Sequence, residues 1–364
     1  MNNELRIVFA GGGTAGHINP AIAIANEIKR QTPDAKILFI GTQYGMEKDF
    51  VPNAGFDIKF INIRGFKRSF SPKAIIANIK NAFKLFTASN KAEKILKEFG
   101  ANYVVGTGGY VSGPVLRTAH NMGIKTLIHE QNAFPGMTNK LLSKMCDTTC
   151  ISFEDAKKHF PDAKNVVFTG NPVRQDIVNK IANAKDIFGI KNDLPVLAVV
   201  GGSLGANALN EQIIKMIQSS ETRYNIIWST GKRNYEGILE QVGVIPDNIK
   251  ILPYIDNMPA LYSVADLLIS RSGAISVAEI ALTGTPSILI PSPNVTANHQ
   301  EYNARSLGDG AIVLLEKDIE KLPDLINQTI FNKEKLIQMS VNLSKYANAD
   351  ATEKIVGMIR NGEK

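Results

Sequence analysis

The sequence predicts an α/β protein with two Rossmann-like domains that face each other across a deep cleft. Apolar, strand-like runs alternate with helical patterns along the chain, which is typical of a parallel sheet covered by helices. Glycine-rich turns join a strand to a helix at residues 11–16, 201–205 and 273. The length of 364 residues is enough for two domains of ordinary size.

The first domain is expected over residues 1–165. Its strands are predicted from apolar runs at residues 5–10, 36–41, 101–108, 125–130 and 148–152. Two unusual loops, GTGGYVSGP (106–114) and HEQNAFPG (129–136), follow such runs. Ligands of parallel sheets bind outside the carboxyl ends of the strands, so both loops are candidate binding segments.

The first glycine turn, GGGTAGHINP (11–20), fits the dinucleotide fingerprint G-x-G-x-x-G with Gly11, Gly13 and Gly16. Its backbone N–H groups and the following helix suit an anion. A dinucleotide site also needs an acidic residue near the end of the second strand. That strand ends in Gly41-Thr42-Gln43, which contains no acidic residue, and Glu47 lies several residues beyond the end of the strand. A nicotinamide cofactor is therefore disfavoured.

The net charge of +7 is concentrated in the first half of the chain. Residues 1–165 hold 22 Lys or Arg and 13 Asp or Glu, which gives +9, and the remainder has 19 and 21, which gives −2. This excess predicts an anionic partner. Nucleic acid is disfavoured, because no recognised binding motif occurs and aromatic residues do not interleave with the basic ones.

Residues 73–90 within this basic region are predicted to form an amphipathic helix. Its apolar face is formed by Ile75, Ile76, Ile79, Phe83 and Phe86. A separate lysine stripe is formed by Lys73, Lys80 and Lys84. Either the helix packs on the core with a solvated lysine face, or it lies on an anionic membrane surface. Arg64, Lys67 and Arg68 just upstream favour the membrane.

The second domain is expected over residues 166–338, followed by a C-terminal helical segment, 339–364, that packs back toward the first domain. Strands are predicted at residues 194–200, 224–230, 249–258, 265–270 and 285–291. The turn GNPVR places Arg174 at the junction, where it is either an exposed linker residue or a phosphate contact. Glu279 is either a helix acid favoured by the dipole or an acceptor for a ribose diol.

Other patterns limit the function. No apolar run approaches the ~20 residues that span a bilayer, and no signal peptide is expected. Cys146 and Cys150 lack a Cys or His cluster and are predicted to be reduced core residues of a cytosolic protein. No metal site and no cofactor are predicted.

The motifs GGGTAGHINP, GTGGYVSGP, HEQNAFPGMTNK, GNPVR, GGSLGA, RSGAISVAE and HQEYNA occur in an order that resembles the MurG family of glycosyltransferase family 28. The resemblance runs from residue 7 to beyond residue 304. It implies a GT-B fold and transfer of N-acetylglucosamine, with inversion, from UDP-N-acetylglucosamine to undecaprenyl-pyrophosphoryl-N-acetylmuramoyl-pentapeptide (lipid I). The product, lipid II, serves peptidoglycan synthesis, and the enzyme is expected to be peripheral on the cytoplasmic face of the cell membrane.

The resemblance also implies the donor contacts. These are Thr14, Ala15, Gly16, Asn132, Arg174, Ser203, Ile255, Ala274, Ile275, Ser276, Val277, Ala278, Glu279 and Gln300. The chain departs from the family at Ala15, where a glycine is frequent and where alanine restricts the backbone slightly. The family also varies around His299-Gln300.

Inverting transfer needs a general base and stabilisation of charge on the leaving diphosphate. No Asp-x-Asp motif, which holds a metal ion in many nucleotide-sugar enzymes, occurs in the sequence. The charge on the diphosphate is therefore expected to be stabilised by helix N-termini near Ser203 and Ala274, with Arg174. His17 is the first candidate base, although it also suits loop ordering or phosphate binding, and Glu130 is a weaker candidate.

The loop with Gly108, Gly109, Tyr110 and Ser112 is expected to bind the acceptor pyrophosphate, although the two hydroxyl side chains also suit loop packing.

A UDP-N-acetylglucosamine 2-epimerase is the main alternative to the transferase function. A dehydrogenase or a non-catalytic module is less favoured.

Overall fold

The computed structural model describes residues 4–63, 72–202, 206–219 and 222–361, with the side chains of residues 72–84, Gln175 and Thr296 left aside. Contacts divide the chain into two compact units. Unit 1 runs to Val173 and is completed by the chain from Asp350 onward, and unit 2 is Arg174–Ala349.

Both sheets of the described chain are fully parallel. Unit 1 contains β1 (Arg6–Gly11), β2 (Lys36–Gly41), β3 (Asp57–Phe60), β4 (Tyr103–Gly108), β5 (Lys125–Glu130), β6 (Thr148–Ile151) and β7 (Val166–Phe168). Unit 2 contains β8 (Val196–Val200), β9 (Asn225–Ser229), β10 (Ile249–Leu252), β11 (Leu267–Ser270), β12 (Ser287–Leu289) and β13 (Ala311–Val313).

The strand orders are equivalent. Unit 1 has the order β3-β2-β1-β4-β5-β6-β7 and unit 2 has β10-β9-β8-β11-β12-β13. The chain adds strands first on one side of the sheet and then on the other. The change occurs between β1 and β4 in unit 1 and between β8 and β11 in unit 2. Such a switch point opens a crevice at the carboxyl ends of the two central strands. The glycine turns after β1, β8 and β11 therefore emerge at the switch points.

The helices, in chain order, are α1 (Ala15–Gln31), α2 (Glu47–Asn53), α3 (Pro72–Phe99), α4 (Ser112–Asn121), α5 (Met137–Leu142), α6 (Ala184–Ile187), α7 (Asn207–Ser219), α8 (Tyr235–Val242), α9 (Met258–Val264), α10 (Ala274–Thr283), α11 (His299–Arg305), α12 (Leu322–Ile330), α13 (Lys333–Ser344) and α14 (Ala351–Asn361). Short 3₁₀ segments lie at Glu154–His159, Gln175–Val178, Thr296–Asn298, Gly308–Gly310 and Glu316–Lys321. No described helix is long and apolar enough to cross a membrane.

Helix α1 begins at Ala15, inside the segment 11–20 that was predicted to be a glycine turn. Thr14 is extended at the N-cap, and Gly16 and Pro20 lie within the helix. Both residues are poor helix formers, but the buried side chains of Ile18 and Ile24 anchor the helix to the sheet. His17 is consequently a helical residue of the first turn, and not the last residue of a loop.

The C-terminal helix α14 belongs to unit 1, where it packs beside α1. Ile355, Val356 and Ile359 are fully buried in the cluster that also holds Ile24 and Ile28. Burying one such aliphatic side chain stabilises a fold by about 1.5–3 kcal/mol, so this helix is an integral part of the unit.

Helix α3 is longer than the predicted segment. Its second half packs on the core through Ala88, Ala92 and Leu96, whereas Phe86 is 68% exposed. The other side chains of the predicted apolar face and lysine stripe, and Arg64, Lys67 and Arg68, lie outside the described residues. Cys146 and Cys150 are free and buried, and burial raises the pKa of the Cys146 thiol to about 12.

Candidate active site

Two glycine loops meet at the switch point of unit 1. Gly11, at the end of β1, pairs with Gly108, at the end of β4. Gly109 has a φ of +77°, and a Cβ there would lie 2.4 Å from the carbonyl oxygen of Gly12. Both the backbone angle and the close approach require glycine, so the two loops touch backbone to backbone.

A buried carboxylate, that of Glu47, holds the first glycine loop in place through hydrogen bonds. Glu47 is 1% exposed and accepts hydrogen bonds from Gly13 N at 2.9 Å, Thr42 N at 2.9 Å and Thr42 Oγ1 at 2.8 Å. One loop N–H is thus already used, and by a negative group that repels a pyrophosphate. Glu47 clamps the loop and does not bind a ribose, which further disfavours a dinucleotide cofactor.

His17 lies in the crevice between the two loops. Its Nδ1 is 3.2 Å from Gln131 Oε1, and a Cβ at Gly108 would lie 2.7 Å from the same nitrogen. Thr14 and Gly16 are exposed and Ala15 is half-buried, so these predicted donor contacts form the open start of α1 beside the imidazole. The arrangement places a half-buried imidazole next to a helix N-terminus.

Glu130 does not have the surroundings of a second base. It is 1% exposed, and its Oε1 accepts from both nitrogens of Asn132 at 3.0 and 3.1 Å. Its Oε2 accepts from Gly136 N at 3.0 Å and from Asn139 Nδ2 at 2.9 Å. All four donors belong to its own loop and to α5, so the carboxylate orders the segment that carries Asn132. These four hydrogen bonds do not fit the predicted role of Glu130 as a weaker candidate base.

Ser112 is also occupied by the fold. It is fully buried, its hydroxyl lies 2.7 Å from the Ala10 carbonyl and 2.8 Å from the Gly108 carbonyl, and it accepts from Gly108 N at 3.1 Å. The predicted ligand contact of Ser112 does not fit this burial, because the hydroxyl holds the β4 loop together. Tyr110, in contrast, is 40% exposed and is available to a ligand.

In unit 2, the first turn of α10 and the start of α11 lie side by side near the switch point. Gly273 is the N-cap of α10, and Ser272 Oγ donates to the Gln300 carbonyl at 2.8 Å. The Gln300 side chain accepts from Ser292 N at 2.8 Å. Gly202, at the end of β8, has a φ of +85°. The predicted contact Ser203 lies outside the described residues.

Glu279 lies in the second turn of α10. The Tyr262 hydroxyl donates to its Oε2 at 3.1 Å. Burial raises the pKa of the Glu279 carboxyl to about 7, against the opposing effects of the Tyr262 hydrogen bond and the Arg174 charge. A carboxyl group that is part-protonated near neutral pH can both donate and accept a hydrogen bond, as a diol requires.

Arg174 is exposed and paired with Asp176 through two hydrogen bonds of 2.8 Å. Both residues line a pocket of about 420 Å³ together with Asn179, Asp256 and Asn257. Ile255, directly before Asp256, is buried at 5% exposure. The predicted donor contact Arg174 therefore lines a pocket within unit 2, and Ile255 lies next in sequence to one of its lining residues.

The sequence reading missed the roles of Glu47 and Gln131. Cβ atoms at Gly12, Gly41 or Gly45 would lie within 2.6 Å of Glu47 side-chain atoms, so three glycines make room for this one carboxylate. Two glycines, Gly41 and Gly45, shortly before an acidic residue were the available signal. For Gln131, the signal was a polar side chain directly after a buried strand. Among residues with described side chains, no group of three or more His, Cys, Asp or Glu is arranged to hold a metal ion.

The chain is similar in sequence to known proteins. Residues 7–151 match the glycosyltransferase family 28 N-terminal domain, and residues 196–355 match the glycosyltransferase family 28 C-terminal domain. The chain is 45% identical to UDP-N-acetylglucosamine--N-acetylmuramyl-(pentapeptide) pyrophosphoryl-undecaprenol N-acetylglucosamine transferase of Acetivibrio thermocellus, with 98% of each chain covered.

Two solved structures are also similar. MurG of Acinetobacter baumannii has 31% identity and a TM-score of 0.78, over 98% of this chain and 99% of that chain. A UDP-GlcNAc 2-epimerase from Neisseria meningitidis has a TM-score of 0.65 over 99% of this chain and 100% of that chain, but 15% identity, which shows a shared fold alone. The predicted α/β class with two Rossmann-like domains of GT-B type is thereby confirmed, and the chain belongs to glycosyltransferase family 28 and, within it, to the MurG family.

Proposed function

We propose that this enzyme transfers N-acetylglucosamine from UDP-N-acetylglucosamine to the C4 hydroxyl of the N-acetylmuramoyl sugar of lipid I, giving lipid II for peptidoglycan synthesis. The observation that carries the proposal is the 45% identity, over 98% of both chains, to a transferase named for this reaction. The placement of His17 at a switch point supports it, because a base belongs where acceptor and donor sugars meet.

The reaction is a single displacement with inversion. As the acceptor oxygen attacks the anomeric carbon, the bond from that carbon to the diphosphate breaks and the hydroxyl proton passes to His17. Imidazole is the side chain best suited to accept a proton near neutral pH. The half-buried ring lies next to Gly108, in the loop that we propose for the acceptor pyrophosphate together with Gly109, with Tyr110 as a further contact.

Negative charge grows on the leaving UDP. We assign its stabilisation to backbone N–H groups at the start of α10 and to Arg174 and Ser203. The Asp176 carboxylate that now pairs with Arg174 would be exchanged for a phosphate, which offers the guanidinium the same two-point geometry. No metal and no other cofactor takes part in this proposal.

We assign the remaining donor contacts by resemblance to the family motifs, at the start of α1, directly after β5 and in unit 2. They are Thr14, Ala15, Gly16, Asn132, Ile255, the α10 residues Ala274, Ile275, Ser276, Val277, Ala278 and Glu279, and Gln300. The Glu279 carboxyl, with Tyr262 behind it, suits the ribose diol because it can donate and accept near neutral pH.

Lipid I is anchored in a membrane, so we propose that unit 1 docks peripherally on the anionic cytoplasmic face through the basic region and α3. The exposed Phe86 and the +9 charge of residues 1–165 support this location.

One assay separates the proposal from the epimerase alternative. Purified enzyme is incubated with UDP-N-acetylglucosamine, with and without a lipid I analogue. UDP release that depends on the analogue is the expected result. Sugar epimer formed without the analogue would favour the isomerase, and UDP release unaffected by the analogue would contradict transfer to lipid I.

A further inference from the structure

We infer that Gln131 is a positioning residue that fixes the tautomer of His17, so that the ring carries its proton on Nδ1 and leaves Nε2 free to accept the acceptor's proton. The inference rests on the proposed function, since it assigns a supporting residue to the same base. It follows from a buried chain of hydrogen bonds within unit 1, in which each group determines the role of the next.

The orientation of the Gln131 amide is set by its acceptors. Gln131 is 1% exposed, and its Nε2 lies 2.8 Å from the Thr107 carbonyl oxygen and 3.1 Å from the His129 carbonyl oxygen. Carbonyl oxygens only accept hydrogen bonds. The reversed amide would bring its oxygen against both carbonyls, which is repulsive. The NH₂ group therefore faces Thr107 and His129, and Oε1 faces His17.

The histidine next to Gln131 agrees with this orientation. His129 is fully buried, and burial lowers its pKa to about 4, so the ring is neutral at physiological pH. Its Nε2 lies 3.1 Å from the Gly170 carbonyl oxygen, which requires a proton on Nε2. Its Nδ1 is then an acceptor, and it lies 3.0 Å from the Gln131 NH₂ group.

The consequence for His17 is a single allowed tautomer. Its Nδ1 lies 3.2 Å from Gln131 Oε1, an acceptor, so Nδ1 must be the donor. In a neutral imidazole the other nitrogen is then unprotonated. The ring is also held against Gly108, where a Cβ would lie 2.7 Å from Nδ1 and 2.9 Å from Cε1. Gln131 and Gly108 together determine which nitrogen faces the reaction and in what protonation state.

Two variants separate the acceptor role of Gln131 from its packing. Gln131→Met conserves volume but removes both donor and acceptor. Gln131→Glu also loses donation to Thr107 and His129, but it keeps a carboxylate oxygen that accepts from Nδ1. If only packing or the donor bonds mattered, both variants would behave alike.

The readout is the tautomer itself, measured by ¹⁵N NMR of histidine-labelled full-length protein at alkaline pH without substrates. The His17 signals are assigned by their loss in His17→Ala. We expect the Nδ1–H tautomer in the wild type and in Gln131→Glu. In Gln131→Met we expect a shift toward the Nε2–H tautomer. An Nε2–H tautomer in the wild type would overturn the inference even if a variant fails to fold, and so would an Nδ1–H tautomer retained in folded Gln131→Met.

Kinetics connect the tautomer to the reaction. Gln131→Met should lower kcat by about 10- to 100-fold with little change in the KM for UDP-N-acetylglucosamine, which corresponds to weakened general-base catalysis. If the tautomer shifts while kcat stays at the wild-type value, the tautomer assignment stands and the role of His17 as base is refuted. The two failures are therefore distinguishable.

Discussion

At the scale of single residues, the proposed chemistry depends on His17. Its ring contacts a glutamine amide and a glycine backbone, so its position is set by neutral groups. Two buried carboxylates of unit 1, Glu47 and Glu130, hold loops instead. His17 differs from these two carboxylates, because the lone pair on its Nε2 is directed away from the groups that hold the ring.

Removing the imidazole tests this division. His17→Ala should lower kcat by about 10²- to 10⁴-fold, the usual contribution of a general base, with a much smaller effect on the affinity for UDP-N-acetylglucosamine. Steady-state UDP release and calorimetric donor binding measure the two effects. His120→Ala, at the opposite end of α4 from the Gly108 loop, is the matched control and should keep wild-type turnover. Near-normal turnover in the His17 variant would exclude it as the base.

Glu279 makes a pH-dependent contribution to stability. The pKa of its carboxyl is raised from 4.5 to about 7 in the folded protein, mainly by burial. Between these two values the folded state binds more protons than the unfolded chain, so stability falls as pH rises. Glu279→Gln removes the titration. We expect the melting temperature of the wild type, relative to the variant, to decrease as pH rises from about 4.5 to about 7.

Scanning calorimetry across that pH range measures the difference. Melting curves of the two proteins that shift in parallel with pH would show that Glu279 does not titrate there.

At the scale of elements, the glycine loops are held by contacts that a sequence pattern does not display. The predicted strands and most helices follow from apolar periodicity, which reports burial directly. The start of α1 was not predicted, because glycine and proline disfavour a helix locally while packing of Ile18 and Ile24 outweighs them. The Glu47 clamp was missed because it joins residues 34 positions apart.

The clamp makes Gly12 intolerant of a side chain. In Gly12→Ala the new Cβ would lie 2.6 Å from Glu47 Oε1, and the carboxylate cannot move without breaking its bonds to Gly13 and Thr42. Leaving buried donors unpaired costs about 1–3 kcal/mol, so the melting temperature should fall by several degrees. Gly113→Ala is the control, because its Cβ would meet nothing closer than 4.0 Å. Equal melting temperatures for the two variants would contradict the clamp.

At the scale of the whole molecule, the α/β class and the family were predictable because both depend on patterns spread over hundreds of residues. The polar roles at the site were predictable only as a set of candidates. Whether Ser112 faces a ligand or a carbonyl, and which way the Gln131 amide turns, depends on three-dimensional neighbours that lie 24 to 102 residues away. The donor, acceptor and membrane assignments of individual residues remain predictions.

The uneven charge of the chain leads to a prediction about membrane binding. Residues 1–165 carry +9 and the remainder −2, so attraction to an anionic surface should belong to unit 1. Binding of the full chain to phosphatidylglycerol vesicles, measured by sedimentation, should weaken steeply with salt, because the Debye length falls from about 10 Å at 0.1 M to about 3 Å at 1 M. Phosphatidylcholine vesicles should bind weakly at every salt concentration.

The apolar part of this binding is testable at Phe86, which is 68% exposed and whose replacement should leave the fold intact. Phe86→Ser should weaken vesicle binding by about 10- to 100-fold, since an inserted aromatic side chain contributes on the order of 1.5–3 kcal/mol. Combined polar replacement of Ile76, Ile79 and Phe83 should weaken it further. Val244→Ser is the matched control, because Val244 is 92% exposed but lies in unit 2. If the Phe86 and Val244 variants bind vesicles equally well, with unchanged helix content, α3 does not insert and charge alone accounts for docking.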